Sequence, residues 1–363
     1  MRQGAALTKA SFALEEFRPA ADRIVEVQRR DGAIPWFEEG AWDPWNHVEC
    51  AMALVTMGEV AAAEGAFEYL CQTQRDDGAW LGEYGNALPM VDRDFISREK
   101  AEALVDSNFC AYPAVGVAHY LWVTRDFVRA RKWWPMVRRA LDFVLTLRRP
   151  DGSIAWSLEA VGTDQDDALL AGNASIAKSF ECGVYLAGAL GEPCVRWRAA
   201  HGALVNALQT RPEVFDQRGA GARFAMDWYY PALAGTLTKA QARQRIAQKW
   251  PDFVDDGRGC RCVLDEPWVT IAESAELVMA LLVIGDTERA RDLFEALLRY
   301  RDDAGVFWMG WQTQEAIVWP REQPSWTQAA VILAAEALLT ADRGGSVLTR
   351  CARSTAASKS ASS

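Results

Sequence analysis

The chain has 363 residues, half of them hydrophobic, which is ample for one large core. Its 39 Lys and Arg against 49 Asp and Glu give a formal net charge of −10. Nucleic acid and anionic membrane surfaces, which need a basic partner, are therefore excluded as main partners, and a small-molecule substrate is expected.

From the N-terminus, an amphipathic helical pattern covers residues 10 to 30 and runs into QRRDGAIPW, Gln28 to Trp36. The next pattern, 43 to 58, is apolar nearly all round and should be buried on every side. An amphipathic helix follows at 59 to 75 and ends in QRDDGAWLG, Gln74 to Gly82. The alternation then repeats, buried at 106 to 124 and amphipathic at 127 to 149, which ends in RRPDGSIAW, Arg148 to Trp156. Buried patterns at 172 to 190, 227 to 237 and 268 to 285 alternate with amphipathic ones at 194 to 210, 238 to 249 and 286 to 301. The last of these ends in RDDAGVFWMGW, Arg301 to Trp311, and a final buried helix spans 325 to 342. Pro231 and Pro251 weaken the fourth and fifth pairs.

Shifted by 227 residues, the chain matches itself: Glu49 falls on Glu276, Met52 on Met279, Gly58 on Gly285, Phe67 on Phe294 and Gly78 on Gly305. Such a match is the mark of a repeated helix–turn–helix unit. Six buried and six amphipathic helices in strict alternation imply an all-α fold, a closed (α/α)6 toroid or six-hairpin barrel over residues 1–342. Asp-Gly then marks equivalent corners, where glycine tolerates positive φ. Residues 343–363, small and polar, are expected to form a disordered tail. No apolar run reaches the roughly 20 residues that span a bilayer, so no transmembrane segment is expected. Eight cysteines placed mostly in apolar helices, and no apolar signal-peptide core at the start, lead to the expectation of reduced thiols in a cytoplasmic protein.

In GAFEYLCQTQRDDGAW, Gly65 to Trp80, Tyr69, Gln72 or Gln74, Gly78 and Trp80 form an aromatic, a glutamine and Gly-x-Trp. With this stretch the chain resembles the terpenoid cyclase and protein prenyltransferase superfamily of α/α toroids. The resemblance implies a prenyltransferase-like or terpene-cyclase-like enzyme acting on an isoprenoid. Class II cyclases carry Asp-x-Asp-Asp, whose middle Asp protonates an alkene or epoxide. The DQDD at Asp164 to Asp167 resembles it and would make Asp166 the general acid, clustered carboxyls raising one another's pKa; the same residues also read as an exposed acidic loop. The Asp, Cys and His that bind zinc in protein prenyltransferases have no counterpart around His47, His119 or His201, so zinc is not expected. Cys260 and Cys262 are read as structural. Mg²⁺ is expected only if the substrate is a diphosphate, with Lys178, Arg223 and Arg261 as candidate cations.

A second constellation stands without the resemblance. Asp43, Asp106, Asp227 and Glu273 lie at or just inside the starts of buried helices, which in a toroid all begin at one mouth. Singly, each is an ordinary helix cap. Trp42, Trp45, Trp228, Tyr229, Tyr230, Trp268 and Trp326 share their loops, and acids with aromatics around a concavity make a ligand site. Deeper in, Glu49, Glu181 and Glu276 occupy related places, and Lys178 is one turn before Glu181 as an ion-pair partner or a cavity cation. The corner favours the isoprenoid enzyme. A carbohydrate-active (α/α)6 enzyme using two mouth acids, and a noncatalytic binding toroid, are the alternatives.

Overall fold

Helices that are apolar on every side can be satisfied only inside a ring of their own kind, and that is how they pack. The computed structural model describes residues 12–85, 104–163, 166–217, 219, 223–343 and 345–349. Asp164, Gln165, Cys351 and the tail from 350 onward lie outside the described residues.

The helices are α1 (Arg18–Val27), α2 (Pro44–Thr56), α3 (Val60–Thr73), α4 (Ser107–Ala111), α5 (Pro113–Thr124), α6 (Phe127–Thr146) and α7 (Leu170–Leu190). They continue with α8 (Val195–Thr210), α9 (Ala225–Leu233), α10 (Lys239–Phe253), α11 (Ile271–Ile284), α12 (Thr287–Leu297) and α13 (Ser325–Thr340). α2 packs on α5, α5 on α7, α7 on α9, α9 on α11, α11 on α13, and α13 returns to α2. The inner ring is thus closed. Each inner helix has one outer partner, α3 on α2, α6 on α5, α8 on α7, α10 on α9, α12 on α11 and α1 on α13. α4 and α5 form one inner rod, split where Pro113 lacks an N–H to donate.

Burial follows the sequence pattern. On α11 every side chain from Ser274 to Leu281 is buried, whereas α12 buries Ala290, Leu293, Phe294 and Leu297, one stripe at helical spacing. α9 is the shortest inner helix and contains Pro231, as expected; α10 continues through Pro251 to Phe253, past the expected end.

The four corners, three with Asp-Gly and the last with Asp-Ala-Gly, are one loop built four times. Gly32, Gly78, Gly152 and Gly305 all lie between φ +92° and +98°. In each, the glycine N–H donates to the carbonyl three residues back: Arg29, Arg75, Arg149 and Asp302. The acid of each corner caps a following amide: Asp31 takes Ala33 N–H, Asp77 takes Ala79, Asp151 takes Ser153 and Asp302 takes Ala304. In two corners a glutamine ties the loop to the next outer helix. Gln28 Nε2 donates to Gly32 O (3.1 Å) and Ala62 O (2.9 Å), and Gln74 Nε2 to Gly78 O (2.8 Å) and Met136 O (3.0 Å). Trp80 is fully buried behind its corner, with Nε1 on Leu70 O.

A small sheet departs from the all-helical expectation. Val254–Asp255 (β1), Gly259–Arg261 (β2), Trp268–Thr270 (β3), Gly310–Gln312 (β4) and Ile317–Val318 (β5) pair antiparallel in chain order. The residues 268 to 270, assigned to a helix from sequence, are strand. Elements of two or three residues are too short to show an alternating pattern. The sheet sits where β3 feeds α11, at the N-terminal end of the inner ring.

Candidate active site

All inner helices start at one end of the ring, and the outer helices with their Asp-Gly corners finish there. Asp43 is the N-cap of α2. Its Oδ1 accepts from Asn46 N–H (2.9 Å), and its Oδ2 from Asn46 Nδ2 (2.6 Å) and Trp36 Nε1 (2.7 Å). Asp106 caps α4, its Oδ1 accepting from the N–H groups of Asn108 (2.8 Å) and Phe109 (3.0 Å). Glu273 and Asp227 stand in the first turns of α11 and α9. Asp43 is buried; the other three are half-buried.

Below them Glu49 on α2 and Glu276 on α11 are only 5% and 7% exposed. Tyr112 Oη donates to Glu49 Oε1 (3.0 Å), and Tyr229 Oη donates to Glu276 Oε2. Burial pushes the Glu49 carboxyl up to about 7, and the charges of Asp43 and Glu273 add to this. Burial, with the charges of Glu49 and Glu273, holds Glu276 well above the carboxylate range. Burial also raises Asp43, against the donors from Asn46 and Trp36, and takes Asp106 up to about 6, with Asp43 adding. Five carboxyls from α2, α4 and α11 therefore act on one another in the mouth. Asp227, at the start of α9, has a different charged neighbour. It accepts from Ala171 N–H (3.2 Å), and burial followed by the charge of Asp216 raises it to about 7. Arg245 holds its backbone carbonyl from α10.

These shifts set a pH dependence of stability. Carboxyls raised on folding contribute stability that is complete below their unfolded pKa and is lost as pH rises through the folded value. Buried His47 and His119, pushed down to about 4 by burial, act in the opposite sense, but only below the ordinary imidazole value of 6.5. From pH 6.5 to 8 the carboxyls dominate, so the melting temperature is expected to fall across that range. Glu49→Gln should flatten the slope; a wild-type melting temperature that rises with pH there would contradict the burial of these acids.

The aromatic residues divide by depth. Trp45 stacks on Tyr112 (4.8 Å between centroids) and meets Tyr230 edge-on (5.4 Å), building the wall beside Glu49. Trp326 meets Trp36 (5.8 Å) and Phe37 (5.9 Å) edge-on, and all three are half-buried at the rim. Trp268 on β3 is half-buried and donates from Nε1 to Trp319 O (2.7 Å). Two expected lining residues point elsewhere. Trp42 is buried in a stack on Tyr84 (4.4 Å), and Trp228 stacks on Phe253 (5.2 Å) with Nε1 on Arg245 O, facing the outer layer. Tyr229 is buried and works through Glu276.

The candidate phosphate cations are engaged with carboxylates: Lys178 with Glu181 (2.8 Å), Arg223 with Asp265 (2.7 Å) and Arg261 with Asp255 (2.8 Å). Asp166 lies on the loop before α7, accepts from Gly162 N–H (3.1 Å) and stands 3.7 Å from Arg149. Sequence reasoning passed over Trp36, Asn46 and Tyr112. Asn46 alone had a local signal, three residues after an N-cap Asp, where its amide and side chain both reach back.

No family profile matches the chain. Over 333 residues, 92% of this chain and 89% of the relative, it is 43% identical to the MMP endo-(1,4)-3-O-methyl-α-D-mannosidase of Mycolicibacterium hassiacum. The GH63 mannosylglycerate hydrolase from Thermus thermophilus, solved in complex with glucose, superimposes with a TM-score of 0.62 at 13% identity. That match covers 86% of this chain and 99% of the hydrolase. The rhamnosidase from Klebsiella oxytoca, solved with rhamnose bound, gives 0.61 at 17% identity over 94% of this chain and 66% of its own. These two likenesses establish the (α/α)6 toroid.

The mannosidase match overturns the resemblance to terpenoid cyclases and prenyltransferases, and with it the isoprenoid substrate. The physical reason is visible in the corner: the bonds of Gln74 to Gly78 O and Met136 O fasten α3 to α6, so the motif records hairpin packing. Asp166 as an alkene-protonating acid and Mg²⁺ for a diphosphate both depended on that resemblance and fall with it.

Proposed function

Because the chain belongs to the family of the MMP endo-(1,4)-3-O-methyl-α-D-mannosidase, we propose that it hydrolyses internal α-(1,4) bonds in a polymer of 3-O-methyl-α-D-mannose, with Asp43 as general acid and Glu273 as general base. The observation that carries the roles is the placement of these two acids at the starts of α2 and α11, on either side of α13 in the ring, where the charges of both act on Glu49.

Glycoside hydrolysis needs one carboxyl to protonate the leaving oxygen and a second to activate water or attack the sugar. Burial favours the protonated form of Asp43. Once its proton passes to the glycosidic oxygen, the new carboxylate meets three donors already in place, from Asn46 and Trp36. Such preorganised donors stabilise charge where it develops. Glu273, half-buried and open to water, suits the base. Glu49 and Glu276, held toward their neutral forms, supply a hydrogen-bonding floor without adding two full charges beside the base. Trp326, Trp36 and Phe37 offer apolar faces on which a pyranose ring can lie. Cytoplasmic location remains part of the proposal.

Incubation of the purified protein with a 3-O-methylated α-(1,4)-mannooligosaccharide, followed by mass spectrometry, tests it. Shorter oligosaccharides with new reducing ends are expected, cut internally. An intact substrate, or release of single terminal units only, would count against the endo-mannosidase reading.

A further inference from the structure

Across the mouth from the aromatic rim stands an arc of exposed apolar side chains. Leu158 and Val161, 39% and 49% exposed, lie on the turn after Trp156. This turn is fastened to the start of the α4 rod, Ser107 N–H donating to Trp156 O (2.9 Å) and Leu158 N–H to Val105 O (3.1 Å). Leu169, 39% exposed, is the N-cap of α7, and Phe224, 40% exposed, is the N-cap of α9. α4, α7 and α9 follow one another round the ring, so the four residues cover three consecutive sectors of one rim.

The two N-cap side chains do not serve their helices. An N-cap side chain that accepts a hydrogen bond stabilises its helix, and Asp43, Asp106, Asp126, Thr238 and Asp286 all do so here. Leu169 and Phe224 accept none. Phe224 has the guanidinium of Arg223 near its ring, at 5.8 Å. Helix stability gives no reason for an exposed apolar residue at either place, whereas contact with an apolar ligand does.

We infer that this arc is the surface that selects for O-methyl groups, seating the methyls of sugar units on either side of the bond to be cleaved. The inference rests on the methylated-mannan reading above. Methylation at O3 removes a hydroxyl donor and adds a methyl group, so a polar rim loses a partner while an apolar rim gains contact area. An enzyme that cuts inside a chain must also hold the chain beyond the cleaved unit, and this arc is continuous with the acid-lined mouth.

The test compares kcat/KM on 3-O-methylated and unmethylated α-(1,4)-mannooligosaccharides of equal length for wild type, L169S/F224S and L158N/V161N. Wild type should prefer the methylated chain. Each sugar methyl deprived of its apolar seat should reduce that preference about fourfold, as expected for one buried methyl group, and each double variant about fifteenfold. The melting temperature of L169S/F224S should equal or exceed that of wild type, because serine is the better cap. An unchanged preference in both variants overturns the inference. So does a wild type that cleaves both substrates equally, which leaves the glycosidase reading intact; a wild type that cleaves neither overturns both.

Discussion

Asp43→Asn is expected to lower turnover of the methylated mannan by about three orders of magnitude, the middle of the range for loss of a general acid. The fold should survive, because Asn caps a helix as well as Asp does and its single carbonyl oxygen can keep the bond from Asn46 N–H, while the bond from Trp36 Nε1 to the other oxygen is lost. The melting temperature should therefore fall by only about 2–4 °C. Glu273→Gln should be equally inactive, for a different reason, and two readouts separate the roles. An acid variant regains rate on an aryl mannoside whose leaving group needs no proton. A base variant gains little there but is rescued by azide, a small anion that replaces the activated water. If Asp43→Asn responds to azide and Glu273→Gln to the leaving group, the assignments are reversed. Near-normal turnover in either variant would return that residue to the status of a helix cap.

The largest effect on stability should come from Gly32→Ala. A methyl group at Gly32 would run into Gly65 O, a backbone atom of the adjacent outer helix, and the residue sits at φ +98°. Both the close approach and the left-handed conformation would have to be relieved. Gly58 isolates the second contribution, since it lies at φ +83° with nothing within 4 Å of the added carbon. Gly58→Ala is expected to cost about 1 kcal/mol, the usual strain of such a backbone for alanine. Gly32→Ala should cost about 3 kcal/mol or more, because overpacking against backbone adds to it. Equal costs by thermal or chemical unfolding would mean that the corner does not lock the hairpins together.

The fold was legible because its signals are long-range and redundant. Helices such as α11, apolar on all sides, and α12, apolar on one stripe, announce inside and outside without reference to any partner. The four corners fall on one backbone geometry, as their common sequence implied. The sheet was illegible because its strands are too short for a periodic signal, and Trp268 looked like the start of a helix.

The site was legible in part. Helix-start acids are readable as positions, so Asp43, Asp106 and Glu273 could be brought to one mouth before any coordinates. Side-chain direction is not readable, so nothing in the sequence separates Trp45, in the wall beside Glu49, from Trp42, three residues earlier and stacked on Tyr84. The substrate was misread for a physical reason of the same kind. An (α/α)6 mouth lined by acids and tryptophans suits a carbocation or a sugar, and the corner taken to decide between them only holds helices together.

Proton NMR of the first product during hydrolysis of a 3-O-methylated α-(1,4)-mannooligosaccharide tests the central claim most directly. In the proposed roles Glu273 activates a water and does not attack the sugar itself, which is the course of inverting hydrolysis. The new reducing end should therefore appear first as the β anomer and drift to α only by mutarotation. An α anomer formed first would mean a carboxylate that attacks the sugar itself, and would contradict Glu273 as a base that works through water.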